Sequence, residues 1–98
     1  MSHFLTRVVL HKTNNLVHPD YTALHTAMED GGFSRQILGS NGTTYHLPAG
    51  EYLIKSDLTL LEIHHLTKKI IASIDEDYGV VSVSIVIEDL MLTGLIAV

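Results

Sequence analysis

Apolar patterns in the order β-α-β-β-α-β predict an α+β sandwich: a four-stranded antiparallel sheet with two helices on one face. Three observations carry this. Alternating, β-branched runs stand near both ends, over Phe4–His11 and Gly79–Asp89. An Asn41-Gly42 pair separates two shorter strand patterns, as in a hairpin. A capping box, Thr59-Leu60-Leu61-Glu62, opens an apolar-periodic stretch. Two split βαβ units with right-handed crossovers then close into the ferredoxin-like arrangement.

The first strand puts Phe4, Thr6, Val8 and Leu10 on one face and Leu5, Arg7, Val9 and His11 on the other. Lys12–His18 is a polar loop. Pro19 and Asp20 start a helix, because proline is tolerated there and aspartate suits the positive end of the helix dipole. Tyr21, Leu24 and Met28 fall at i, i+3 and i+7 as its apolar stripe, and Gly31-Gly32 ends it. Phe33–Leu38 is the second strand. A type I′ turn at Asn41-Gly42 suits the demand for positive φ at both positions.

The return strand, Thr44–Ile54, is interrupted by Pro48-Ala49-Gly50, which places it at an edge or gives it a bulge. The second helix runs to about Ile74, with Leu58 and Ile63 as its hydrophobic staple and Ile63, Leu66, Ile70 and Ile74 buried. Asp75 to Tyr78 is an acidic turn. In the last strand Val81, Val83, Ile85 and Ile87 face inward, and Ser82, Ser84 and Glu88 face out. The apolar tail, residues 90–98, adds an edge strand or covers one.

Residues 1–98 read as one domain, with its core over about 4–89. A chain with 46% hydrophobic and 17% charged residues is globular rather than disordered. Cysteine is absent, which removes disulfides and thiolate metal sites. The first residues do not form a signal peptide, and the apolar tail is far shorter than the ~20 residues a spanning helix needs. A cytoplasmic protein with no membrane partner is expected. A net charge of −5 argues against tight, non-specific polyanion binding, although seven histidines soften it. No P-loop, dinucleotide fingerprint or nucleophile elbow is present. His64-His65 lacks the i,i+4 spacing of a helical metal site, and Asp75-Glu76-Asp77 lacks the glycine and spacing of a calcium loop. No cofactor or metal is expected.

From Arg7 to about Glu88 the chain resembles a known family. RVVLH in the first strand, DYTALHTAMEDGGFSR across the first helix, TTYHLPAGEY before the second helix and LTLLEI within it carry the likeness. They are similar to the GhoS family, the endoribonuclease antitoxins of type V toxin–antitoxin systems, and to its small bacterial and phage relatives. The resemblance implies a ferredoxin-like fold and cleavage of single-stranded RNA, typically a toxin messenger; the residue types available make any such cleavage metal-independent. Two of the family's positions, a helix arginine and a strand aromatic, fall on His25 and Tyr52. The aromatic is kept, and histidine stands in place of the arginine.

Cofactor-free RNA cleavage needs a base for the 2′-hydroxyl, an acid for the 5′-oxygen and a cation for the phosphorane. His25, His46 and Tyr52 are the catalytic candidates, with Tyr52 also offering a stacking platform; Arg35, Arg7 and His11 are the RNA-binding candidates. The plainer reading leaves His25 flanking the apolar stripe and His46 on a strand surface. Arg7, His11, Ser82 and Ser84 are expected on the helix-free face beside Leu5, Val9 and Val86, a composition that suits a homodimer interface. The alternative function is a non-catalytic protein-interaction module, such as a phage-encoded inhibitor or regulatory subunit.

Overall fold

β1 (Ser2–Leu10) is the central strand of a three-stranded antiparallel sheet, flanked by β4 (Glu51–Ser56) and β5 (Tyr78–Ile85). The protein is described here by a computed structural model that covers residues 1–11, 21–74 and 77–98. The Lys12–His18 loop, the helix start at Pro19 and Asp20, residues 75 and 76 of the acidic turn and the side chain of Glu88 lie outside the described positions. α1 (Thr22–Asp30) and α2 (Leu60–Ala72) complete the α+β architecture, with a separate hairpin of β2 (Gln36–Leu38) and β3 (Thr44–His46).

The alternation in β1 works as expected. Phe4, Thr6, Val8 and Leu10 are buried, and both helices pack over that face. Leu24 and Met28 of α1 join Ile63 and Ile71 of α2 and Tyr52 and Ile54 of β4 in one core. α1 ends at Gly31-Gly32, where Gly32 takes φ +98°. The capping box is complete: the Thr59 hydroxyl accepts from the Glu62 amide at 3.2 Å, and the Glu62 carboxylate accepts from the Thr59 amide at 2.9 Å. Those bonds hold the Glu62 carboxyl below its ordinary range. α2 buries a different stripe from the one expected. Ile63, Thr67 and Ile71 point inward at i, i+4 and i+8, Leu66 and Ile70 are half-buried, and Ile74 lies beyond the helix and exposed.

The sheet has three strands rather than four. Its far edge carries one isolated bridge among the described residues, in which Ser34 exchanges two backbone hydrogen bonds with Leu53 at 2.7 and 2.8 Å. The Pro48-Ala49-Gly50 break is the cause. A turn closed by the Glu51 amide on the Pro48 carbonyl, 3.0 Å, redirects the chain, so β3 pairs with β2 while β4 pairs with β1. The hairpin loop also differs from a two-residue I′ turn. Gly39 and Thr43 close a three-residue loop in which Gly42 takes positive φ, +84°.

β5 presents the opposite face from the one expected. Its register sets Ser82 against Thr6 and Ser84 against Phe4, so the serines sit on the helix side. Val81, Val83 and Ile85 lie on the helix-free face, with Val81 67% exposed. A slip of one residue exchanges every side chain of a strand, and both faces of this one are apolar enough to serve. The strand stops at Ile85, and Ile87 falls in a 3-10 turn, Ile87–Asp89. The tail adds an edge to β3: the His46 amide donates to the Ile96 carbonyl and the Val98 amide to the Thr44 carbonyl, both at 2.9 Å. No described helix is long and apolar enough to cross a membrane.

Candidate functional site

α1 and β4 bring His25 and Tyr52 together. The alternation Glu51, Tyr52, Leu53, Ile54, Lys55 puts the charged residues on the helix-free face and Tyr52 under α1. His25, one turn beyond Tyr21, stands on the flank of the helix above it. His25 Nδ1 lies 2.6 Å from the Tyr52 hydroxyl, and the rings meet edge-on at 5.7 Å. Tyr21 stacks on the imidazole, 6.2 Å between centroids.

Tyr52 is 0% exposed. It therefore cannot be a platform on which a base stacks, which corrects the expectation for this residue. Burial pushes its phenol well above the ordinary 10.0, only partly offset by the nearby Arg35 guanidinium. The hydroxyl keeps its proton, and by donating it to Nδ1 would leave the imidazole's own proton on Nε2. Half-buried His25 is thereby oriented by a wholly buried ring.

Arg35 borders the same cluster. Its Nη2 donates to the Leu47 carbonyl at 3.4 Å, while its Nε is buried with no hydrogen-bond partner among the described residues. The other candidates are elsewhere. His46 is exposed on β3, within the hairpin sheet, and is not among the described contacts of the His25–Tyr52 pair. Arg7 and His11 belong to the helix-free face, as expected, with His11 lying over Gly79. That face is on the opposite side of β1 from Tyr52, so the six candidates do not form one site.

One polar cluster was hidden by the wrong facing of β5. Ser82 Oγ lies 2.8 Å from His64 Nδ1 and 3.2 Å from Thr6 Oγ1, a chain that ties α2 to the sheet. No carboxylate is described on the imidazole, so the chain reads as structural support rather than a nucleophile. The threonine facing inward at position 6 was the available signal, since its antiparallel neighbour had to satisfy it. A groove of about 690 Å³ between the hairpin and the tail, lined by Ile37, Tyr45, Met91 and Leu95 among others, holds none of the candidates. No group of histidine and carboxylate side chains able to hold a metal occurs among the described residues.

No protein-family model matches the chain, and neither does any curated protein or solved structure.

Proposed function

We propose that the chain is a GhoS-like, antitoxin-type protein that binds single-stranded RNA along the rim between α1 and β4, with His25 as the proton-transfer group where the RNA is cut. In this reading the fold is a ferredoxin-like sandwich whose fourth strand is reduced to the Ser34–Leu53 pair. The observation that carries the proposal is the 2.6 Å contact between His25 and Tyr52. It turns a lone surface histidine into one whose ring plane is held from beneath, as proton transfer requires. Arg35, whose guanidinium acts on the Tyr52 phenol, supplies the positive charge for a phosphate. Tyr52 acts as a positioning residue from beneath.

The test is incubation of the purified protein with single-stranded RNA containing A and U, alongside His25→Ala and Arg35→Gln. Cleavage by the wild type that His25→Ala reduces ~100-fold or more is expected, the low end of general acid–base catalysis. Arg35→Gln should weaken RNA retention and flatten its salt dependence. Equal cleavage by wild type and His25→Ala, or no retention of RNA at low salt, removes the reading.

A second reading, a non-catalytic interaction module, is favoured by the apolar helix-free face and by the net charge of −5. A stoichiometric protein partner recovered with the wild type, together with no RNA shift at low salt, would decide for it.

A further inference from the structure

We infer that the helix-free face of the sheet is covered by a second copy of this chain, related by a two-fold axis that runs across the strands through Leu5. This goes beyond the RNA reading and does not depend on it, because the His25–Tyr52 pair lies on the other side of β1.

Three rows of side chains cross all three strands on that face, with Val9 opposite Gly79 beyond them. The register places Leu53, Leu5 and Val83 in the middle row. Glu51, Arg7 and Val81 form the row on one side, and Lys55, His3 and Ile85 the row on the other. No ion pair joins Arg7 to Glu51 or Glu51 to Lys55 among the described residues. The face therefore carries an apolar centre with its charges held at the two ends, and the charges are of opposite sign on the β4 column.

That distribution selects the occupant and its orientation. An isologous contact places each surface on itself, so residue i meets j and j meets i. A two-fold axis along the middle row leaves each strand facing its own counterpart and exchanges the outer rows. Glu51 then faces the second copy's Lys55, twice over. Val81 faces Ile85, the Leu53, Leu5 and Val83 row packs on itself, and Arg7 lies against the imidazole of His3, a pairing guanidinium groups favour. An axis along β1 would instead set Arg7 on Arg7 and lay Glu51 and Lys55 on apolar residues, burying unpaired charge. Facing sheets cross at about 30°, which displaces the Glu51 and Lys55 positions by about 4 Å, a gap a lysine side chain spans. The footprint, about 14 by 27 Å from strand spacing and length, is small beside the ~800 Å² per partner of standard interfaces. Association in the micromolar range is expected.

Analytical ultracentrifugation over a concentration series tests this with the full chain. The wild type should dimerise reversibly. Glu51→Lys and Lys55→Glu should each weaken dimerisation roughly tenfold, because like charges then meet at both symmetric contacts. An equimolar mixture of the two variants should recover wild-type affinity as a heterodimer, since opposite charges face each other again. Val81→Asp, at an exposed position, should leave the thermal melt of the monomer unchanged and abolish the dimer. A wild type that stays monomeric up to millimolar concentration, or charge reversals that leave association unchanged, would overturn the inference.

Discussion

Replacing Tyr52 with alanine is expected to destabilise the protein by about 3–5 kcal/mol, the range for removing a large aromatic from a packed core. Its ring is wholly buried among core residues of β1, α1 and α2. Tyr52→Phe keeps the ring and removes only the hydroxyl that meets His25, so about 1–2 kcal/mol is expected. Urea unfolding followed by circular dichroism measures both, since the chain has no tryptophan to report by fluorescence. The same residue shapes the alkaline limb of stability. The unfolded chain releases the phenol proton near 10.0, while the folded protein holds it to higher pH. Stability should therefore fall as pH rises above 10, and fall less steeply in Tyr52→Phe. A cost below 1 kcal/mol for the alanine variant would mean that Tyr52 is not part of the core. Tyr52→Ala is for the same reason a poor probe of activity, and His25 variants are the better one.

Gly50→Ala is the second large effect, expected at about 3 kcal/mol. Gly50 has φ +84°, and a Cβ there would stand 2.5 Å from the Val8 carbonyl oxygen. The strained backbone alone costs about 1–3 kcal/mol for a side-chain-bearing residue. Relieving the contact would also stretch the 2.7 Å bond from the Val8 amide to the Gly50 carbonyl, which joins the start of β4 to β1. Gly42 is the control. It has the same φ of +84° but open space around it, so Gly42→Ala should cost only about 1 kcal/mol. Equal losses at the two positions would show that the close approach to β1 contributes nothing.

The parts of the fold that could be read from sequence are those whose signals are local. The Thr59–Glu62 box, the glycines after α1 and the Pro48–Gly50 break each act within a few residues, and each appears where the residues put it. The misreadings are mostly matters of tertiary choice, the three-residue hairpin loop being a local one. In β5, Val81, Val83 and Ile85 form the more apolar set, yet the partner strand decides the facing: Thr6 needs Ser82, and Val8 meets Val80. The fourth strand failed because Pro48 and Gly50 end β3 early, and among the described residues Ser34 alone bridges to the outer edge of β4. In α2, Thr67 turns inward because its hydroxyl satisfies itself on the Ile63 carbonyl at 2.8 Å, which rotates Ile71 into the core and Ile74 out.

The site divides in the same way. The residue types that draw attention, His25, Tyr52 and Arg35, do cluster, although they come from separate elements. The burial of Tyr52 was readable from Glu51 and Lys55, whose charges fix the outward face of β4 and leave position 52 inside. His46 shared a strand pattern with Tyr52 in the sequence and was parted from it by the same Pro48–Gly50 turn that divided the sheet. Arg7 and His11 belong with the helix-free face, away from the α1–β4 rim.

Titration of single-stranded RNA into isotope-labelled protein, followed residue by residue by NMR, tests the central claim most directly. The account predicts saturable shifts that are largest at His25 and Arg35, with the imidazole resonances of His25 among those that move. Shifts confined to the Leu5–Val83 face, or no shift at a large excess of RNA, would contradict it.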